Sequence, residues 1–373
     1  MSKTVMTAER MYEQSIDEIV ESILANPKGT TLVQGHMGSG KSSILKILAQ
    51  RLPSHIPCYF DGTTKDLGDL YIPKILDVGD DAQFVRFVPN EEFGLHHGKP
   101  VILMFDEYGK MNPSVKAATM ETMLNHKVGN KKLPEGSIVF ATTNLAGEGV
   151  GDLLMPHHRN RITVVRMAKP TAQLWIENFA YNNGIHPSMI MWVAEEGERL
   201  FQSYEDVEKP DDETGGNPYI YHPKAQRPAF VTPRSLELAS NWLWAKDKIS
   251  SNALQSNLIG TIGARGGSDL RTYIELVDQL PKQEEIKTNP TQAKIPESSS
   301  GIMMVVHRAL ATMSKEFVDP WMQYLNRLDA EAQGFFAMQV RNPKYQKQGI
   351  VMTNKKFTEW CIANNYVFTA DKE

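Results

Sequence analysis

The chain has 373 residues, enough for two or three structural units at roughly 150 residues each. The 40 Lys and Arg against 44 Asp and Glu leave a net charge of −4, which excludes a globally basic nucleic-acid coat and leaves room only for local basic patches. The balance of 41% hydrophobic and 23% charged residues is that of a soluble globular protein, and no apolar run approaches the roughly 18 residues of a membrane span, so no membrane partner is expected.

The first residues, MSKTVMTAERMYEQ, lack the apolar core of a signal peptide. Two cysteines, Cys58 and Cys361, are too few for a disulfide framework and suit a reducing, cytoplasmic setting. Met11, Ile16, Ile19, Val20, Ile23 and Leu24 form a helical stripe over 9–25, broken by Asn26-Pro27-Lys28-Gly29. Thr30 to Gln34 reads as a strand, 41–52 as a helix with Ile44, Leu48 and Leu52 on one face, and Pro57 to Phe60 as a second strand. Phe84 to Val88 is β-prone. Val101 to Phe105 is a strongly apolar strand. Asn112-Pro113 caps and opens a helix that Gly129 would close. Ser137 to Thr142 and Ile162 to Arg166 are further strands. Short apolar strands alternating with helices predict an α/β fold, a parallel sheet covered by helices on both faces.

After Lys169-Pro170 helical signals dominate. The stretch from about 205 to 233 begins with the acidic run EDVEKPDDE and continues rich in Gly and Pro; it reads as a long exposed loop. Helices resume at Arg234 and run to about Leu280. Residues 281–300 read as a polar linker, and a helical segment follows from Ile302. Arg341, Lys344, Lys347, Lys355 and Lys356 make a basic stretch near the end.

The strongest chemical signal is Gly35-His36-Met37-Gly38-Ser39-Gly40-Lys41-Ser42, followed by Ser43. It has the form G-x-x-x-x-G-K with Ser next, between a strand and an amphipathic helix. Glycines there let backbone N–H groups turn around phosphate oxygens, and the helix N-terminus adds positive potential. Lys41 would reach the terminal phosphates of ATP, and the Ser42 hydroxyl would ligate Mg²⁺. A chance glycine turn is the competing reading.

The apolar strand ends in Asp106-Glu107. Asp106 would belong to the Mg²⁺ shell and Glu107 would orient or deprotonate the attacking water. The plain alternative is a strand entering a solvated turn. Ile138 to Asn144 is another strand ending in a polar residue. Asn144 could sit between the phosphate loop and the acid strand and touch the γ-phosphate or the water, or simply cap a turn. The pairs His96-His97 and His157-His158 lack metal-ligand spacing and read as loop histidines. No G-x-S-x-G element supports nucleophilic hydrolysis.

Phosphate loop, acid pair and Ala141-Thr142-Thr143-Asn144, in this order, resemble an AAA+ ATPase, with a P-loop α/β sheet and a helical lid. Within that superfamily the chain resembles the MoxR group over about 10–280. Asp106-Glu107-Tyr108-Gly109-Lys110 stands where that group has D-E-I-N-R, and Ala118 to Met123 resembles its A-L-L-E-A-M helix. Leu145 departs from the usual proline after the Asn, and Tyr108-Gly109-Lys110 departs from Ile-Asn-Arg. The resemblance implies a nucleotide-binding α/β domain over 1–169, a helical lid over 170–280, a linker over 281–300 and a helical extension over 301–373. It implies an arginine finger offered to a neighbouring subunit, matched by Arg161 with Arg159 two residues away. The other reading of either is an arginine tying a helix end to the next strand. It also implies a lid arginine, Arg234, in Thr232-Pro233-Arg234, where the dipole of a helix start disfavours a cation unless an anion is near. Phe84 to Pro89 would belong to a hairpin facing a ring pore, or to an edge hairpin packed on the core.

The resemblance implies a Mg²⁺-dependent ATPase acting as a homo-hexamer ring on a protein, the first partner to seek being of von Willebrand factor A type. The second reading is a motor or loader on nucleic acid, for which the basic stretch 341–356 and Lys127 to Lys132 speak. The third is a nucleotide-binding switch with little turnover, against which Glu107 speaks.

Overall fold

The computed structural model describes residues 12–77, 83–148, 160–211, 215–277 and 280–364. The chain divides into two compact units, Met1–Lys169 and Pro170–Glu373.

The strands of the first unit are β1 (Glu13–Gln14), β2 (Thr31–Gly35), β3 (Ile56–Asp61), β4 (Tyr71–Asp77), β5 (Gln83–Pro89), β6 (Val101–Asp106), β7 (Lys127–Val128), β8 (Lys131–Lys132), β9 (Ile138–Thr143) and β10 (Thr163–Met167). Its helices are α1 (Ile16–Ala25), α2 (Ser43–Arg51) and α3 (Pro113–Asn125). Six strands form one parallel sheet in the order β1-β10-β2-β9-β6-β3. The phosphate-loop strand β2 and the acid strand β6 are therefore not neighbours. Strand β9 lies between them, with Gln34 beside Thr143 and Phe105 beside Ala141. That order sets the carboxyl ends of three strands side by side, where ligands of open α/β sheets bind.

Alternation explains why β6 has no polar residue before Asp106. Val101, Leu103 and Phe105 join Leu32, Val139 and Ala141 in one core, while Ile102 and Met104 join Val33, Ile138 and Phe140 in another. Both faces of the strand are thus covered. Each such side chain contributes about 1.5–3 kcal/mol relative to exposure.

Several boundaries differ from the sequence expectation, each for a local reason. Helix α1 begins at Ile16, because Ser15 and Glu18 form a reciprocal capping box. Helix α3 ends at Asn125 and is closed by His126 in the left-handed region (φ 49°). Gly129, expected as the stop, instead has positive φ in the turn between β7 and β8. Strand β4 escaped the sequence reading, since Pro73 and the interleaved polar residues hide it. It pairs antiparallel with β5 in a hairpin outside the main sheet, a setting in which a strand proline is tolerated.

The second unit is helical: α4 (Ala172–Asn178), α5 (Pro187–Glu196), α6 (Pro233–Trp244), α7 (Ser251–Val277), α8 (Gln283–Thr288), α9 (Ser299–Thr312), α10 (Lys315–Leu325), α11 (Ala330–Arg341), α12 (Gln348–Met352) and α13 (Lys355–Ala363). One core runs through it from Ala172 to Trp360, with Trp192, Trp321 and Phe336 at its centre. Residues 281–300 are no free linker, since α8 lies within them and Ile286 and Ala293 are buried in that core. Nor is 205–233 simply an exposed loop. Tyr219, Ile220 and Val231 are buried, and the buried Asn217 amide donates to the Arg199 carbonyl and to Gln202 Oε1, each at 2.7 Å. Side chains here satisfy backbone that lacks a ladder. Helix α7 breaks at Gly263 (φ 85°), where a Cβ would lie 2.6 Å from the Ala229 carbonyl oxygen. Only glycine lets that strap pass so close. Among the described residues no helix is long and apolar enough to cross a membrane.

Candidate functional site

Strand β2 ends at Gly35, and the chain turns through Gly38 (φ 68°) and Gly40 (φ 97°) before α2 begins. Positive φ at both glycines is what lets consecutive amides face inward. Lys41 is buried, and its ammonium folds back over the loop. It donates to the carbonyls of Gly35 (2.9 Å) and His36 (2.8 Å) and to Asn144 Oδ1 (2.7 Å). Ser42 is the N-cap residue of α2, and its hydroxyl makes no capping bond. Ser39 Oγ is buried in the loop without a hydrogen-bond partner from the protein. An anion in the loop would supply the acceptor it lacks.

Asp106 closes β6. One carboxylate oxygen accepts from Thr142 Oγ1 and from the Glu107 amide (2.9 Å), the other from Tyr59 OH (2.9 Å). Glu107 adopts left-handed backbone (φ 52°), uncommon for a residue with a Cβ. That turn sends the chain away from the strand at once. The Glu107 carboxylate takes the Asn144 amide on both oxygens (3.2 Å each) and the Lys110 ammonium at 2.9 Å. Asn144 therefore bridges Lys41 and Glu107, as the position of β9 allows. The amide needs no turn-cap explanation, for its side chain is spent on this bridge.

The donor set fits Mg²⁺, a hard cation that takes carboxylate and hydroxyl oxygen and retains several waters. Ser42 and Asp106 offer those atoms. Among the described residues no group of three or more His, Cys, Asp or Glu gathers into a metal cluster. His96 and His97 lie in a short 3₁₀ turn, while His157 and His158 fall outside the described residues.

Of the three arginines, Arg161 is exposed in the turn before β10, and Arg159 falls outside the described residues. Arg234, in the second unit, is exposed at the second position of α6, behind the Thr232–Ser235 capping box. Sequence reasoning missed Tyr59, Thr142 and Glu148. Glu148 ends a 3₁₀ turn (Ala146–Glu148) just beyond Asn144, and its buried carboxylate pairs with His36 Nδ1 (2.8 Å) and accepts the Met37 amide (2.7 Å). No motif pointed to it.

Residues 31–167 match the family model described as ATPase family associated with various cellular activities, AAA. Sheet order and phosphate loop give the first unit a P-loop NTPase-like fold, and over these residues it is similar to the AAA family. Nucleotide binding and hydrolysis are the general activity of that class. The match names AAA as a whole and no subgroup within it. No curated protein matches the chain. Among solved structures, it is similar to the Holliday junction branch migration motor RuvB of Thermotoga maritima (14% identity, 74% of this chain and 75% of that one, TM-score 0.35). It is also similar to NtrX of Brucella abortus in complex with ATP (14%, 94% and 70%, TM-score 0.34). A third is closed-state Hsp104 with ATPγS and FITC-casein (17%, 68% and 41%, TM-score 0.34).

Proposed function

We propose that the protein is a ring-forming, Mg²⁺-dependent ATPase of the MoxR-like kind that remodels a protein partner. The observation that carries ATP hydrolysis is the hydrogen-bonded chain from the buried Lys41 through Asn144 to the half-buried Glu107. It holds a phosphate-binding cation and a candidate base on either side of one amide. The loop amides, Ser39 and Lys41 would bind the phosphates. Glu107 would take the proton of the attacking water, which Asn144 would help to orient. Ser42 and Asp106 would hold Mg²⁺, which when bound neutralises charge on the phosphate oxygens.

Arg161, exposed, would reach the nucleotide of the next protomer in a hexamer, with Arg159 as the other candidate finger. A planar guanidinium suits charge growing on a γ-phosphate. Arg234, exposed at the start of α6, is the lid arginine that the resemblance implies, within a lid over 170–280.

A protein partner is favoured by the β4–β5 hairpin. Ile72 and Ile75 are each 66% exposed, Phe84 58% and Val85 53%. In this register Ile72 and Phe84 share one face and Ile75 and Val85 the other. Apolar residues concentrated on both faces of a protruding hairpin mark a protein-binding element. The nucleic-acid reading is weaker. In the basic stretch near the chain end, Lys347 donates to the Ala311 carbonyl, Lys355 pairs with Glu359 and Lys356 with Asp319. Acidic neighbours interrupt this stretch, whereas phosphate binding wants a clear basic track. A partner of von Willebrand factor A type is the first to test.

The experiment is a Glu107→Gln trap. Wild type should release phosphate from Mg-ATP, and the variant should bind ATP without turnover and retain its partner in a pull-down. Replacing Ile75 and Phe84 by Ser should leave basal turnover intact and abolish partner capture. Wild type that releases no phosphate even with the captured partner would make the chain a binding switch instead.

A further inference from the structure

Glu148 stands apart from every motif, yet it is an enclosed carboxylate beside the phosphate loop, its side chain only 1% exposed. A carboxyl group so dry needs hydrogen-bond partners. It has two, both at the start of the loop: the Met37 amide and the His36 ring, itself buried. His36 is held a second time through its carbonyl, which accepts from Lys41. Lys41 in turn reaches Asn144. From Asn144 the chain returns to Glu148 through a tight turn, in which the Glu148 amide donates to the Leu145 carbonyl at 2.9 Å. The contacts close a circuit: Asn144, Lys41, His36, Glu148 and back. The hydroxyls of Ser39 and Ser42 take no part in it.

We infer that Glu148 is a positioning residue for the nucleotide: it braces His36 and Met37 so that the phosphate loop is preset, and it ties the loop to the exit of β9. A preset loop binds without first ordering itself, and that ordering cost otherwise weakens affinity. Glu148 touches no reacting atom, so its effect belongs in affinity more than in the chemical step. This inference rests on the proposed nucleotide site.

The test measures binding of a fluorescent ATP analogue and steady-state hydrolysis in the full-length protein. Charged hydrogen bonds are worth about 1.5–3 kcal/mol, so Glu148→Ala should raise Kd and KM by about 10-fold or more. Turnover at saturating ATP should stay within about 3-fold of wild type. Glu148→Gln keeps an acceptor for the Met37 amide and should restore affinity to within about 3-fold. His36→Ala should weaken binding too, and add little in the Glu148→Ala background, because the two act through one contact. If Glu148→Ala does not fold, the Gln and His36→Ala variants decide. Unchanged Kd in Glu148→Ala or His36→Ala, or lost turnover at unchanged Kd, overturns the inference. Lys41→Ala separates the two levels. If it binds nucleotide like wild type, the site reading itself fails; if it loses binding while Glu148→Ala keeps it, only the bracing role fails.

Discussion

Replacing Asn144 by Ala removes one buried amide that serves two charged groups. Its Oδ1 accepts from Lys41 at 2.7 Å, and its Nδ2 donates to both oxygens of Glu107 at 3.2 Å. A hydrogen bond to a charged group is worth about 1.5–3 kcal/mol. Neither neighbour is orphaned by the change, since Lys41 keeps two carbonyls and Glu107 keeps Lys110. The folding cost therefore sits low, at about 1–3 kcal/mol. Catalysis should suffer more. A preorganised donor beside developing charge is worth about 10²-fold in turnover, or about 2.7 kcal/mol of barrier. Phosphate release at saturating Mg-ATP should fall by about that factor, while fluorescent ATP binding stays within about 3-fold. Turnover within twofold of wild type, in a variant that binds nucleotide normally, would refute the assignment of Asn144 to the reaction.

The other predictions concern the ring and the helical unit. Arg161→Ala should bind ATP and fail to turn it over; mixing it with Glu107→Gln protomers should regain activity, because some interfaces then hold an intact Glu107 facing an intact Arg161. No recovery in mixed rings would show that Arg161 does not act between subunits. In the second unit, burial pushes the His307 imidazole down to about 4, and Tyr181 OH lies 2.7 Å from its Nδ1. The unfolded imidazole, near pH 6.5, takes a proton that the folded one refuses, so stability is present above about pH 6.5 and is lost as pH falls toward 4. The loss approaches about 3 kcal/mol, at about 1.4 kcal/mol per pH unit. Chemical denaturation between pH 7 and pH 4.5 should show this slope in wild type and a shallower one in His307→Leu. Equal slopes would place the acid sensitivity elsewhere.

Local signals were strong where covalent geometry and periodicity speak directly. The glycines of 35–42, the apolar run into Asp106-Glu107 and the strand before Asn144 each carry their structure in residue type and spacing, and each forms as expected. Even the place of Asn144 between loop and acids was legible as a possibility. Strand β4, the stop of α3 at His126 and the burial within 205–233 and 281–300 were not. A proline-containing strand, a left-handed histidine and a strap anchored by Asn217 become favourable only against distant neighbours. Composition reads such segments as loop, because polarity does not reveal which few residues will be buried.

Residue order alone thus determined the alternation of strands and helices, the phosphate loop and the acid pair, since these depend on backbone freedom and on a 2.0 or 3.6 residue period. Strand order was decided only in three dimensions. Placing β9 between β2 and β6 joins Lys41, Asn144 and Glu107 across more than 100 residues, and it brings Glu148 to His36. Contacts that distant in the chain depend on how the sheet closes over its two cores, which no local pattern encodes.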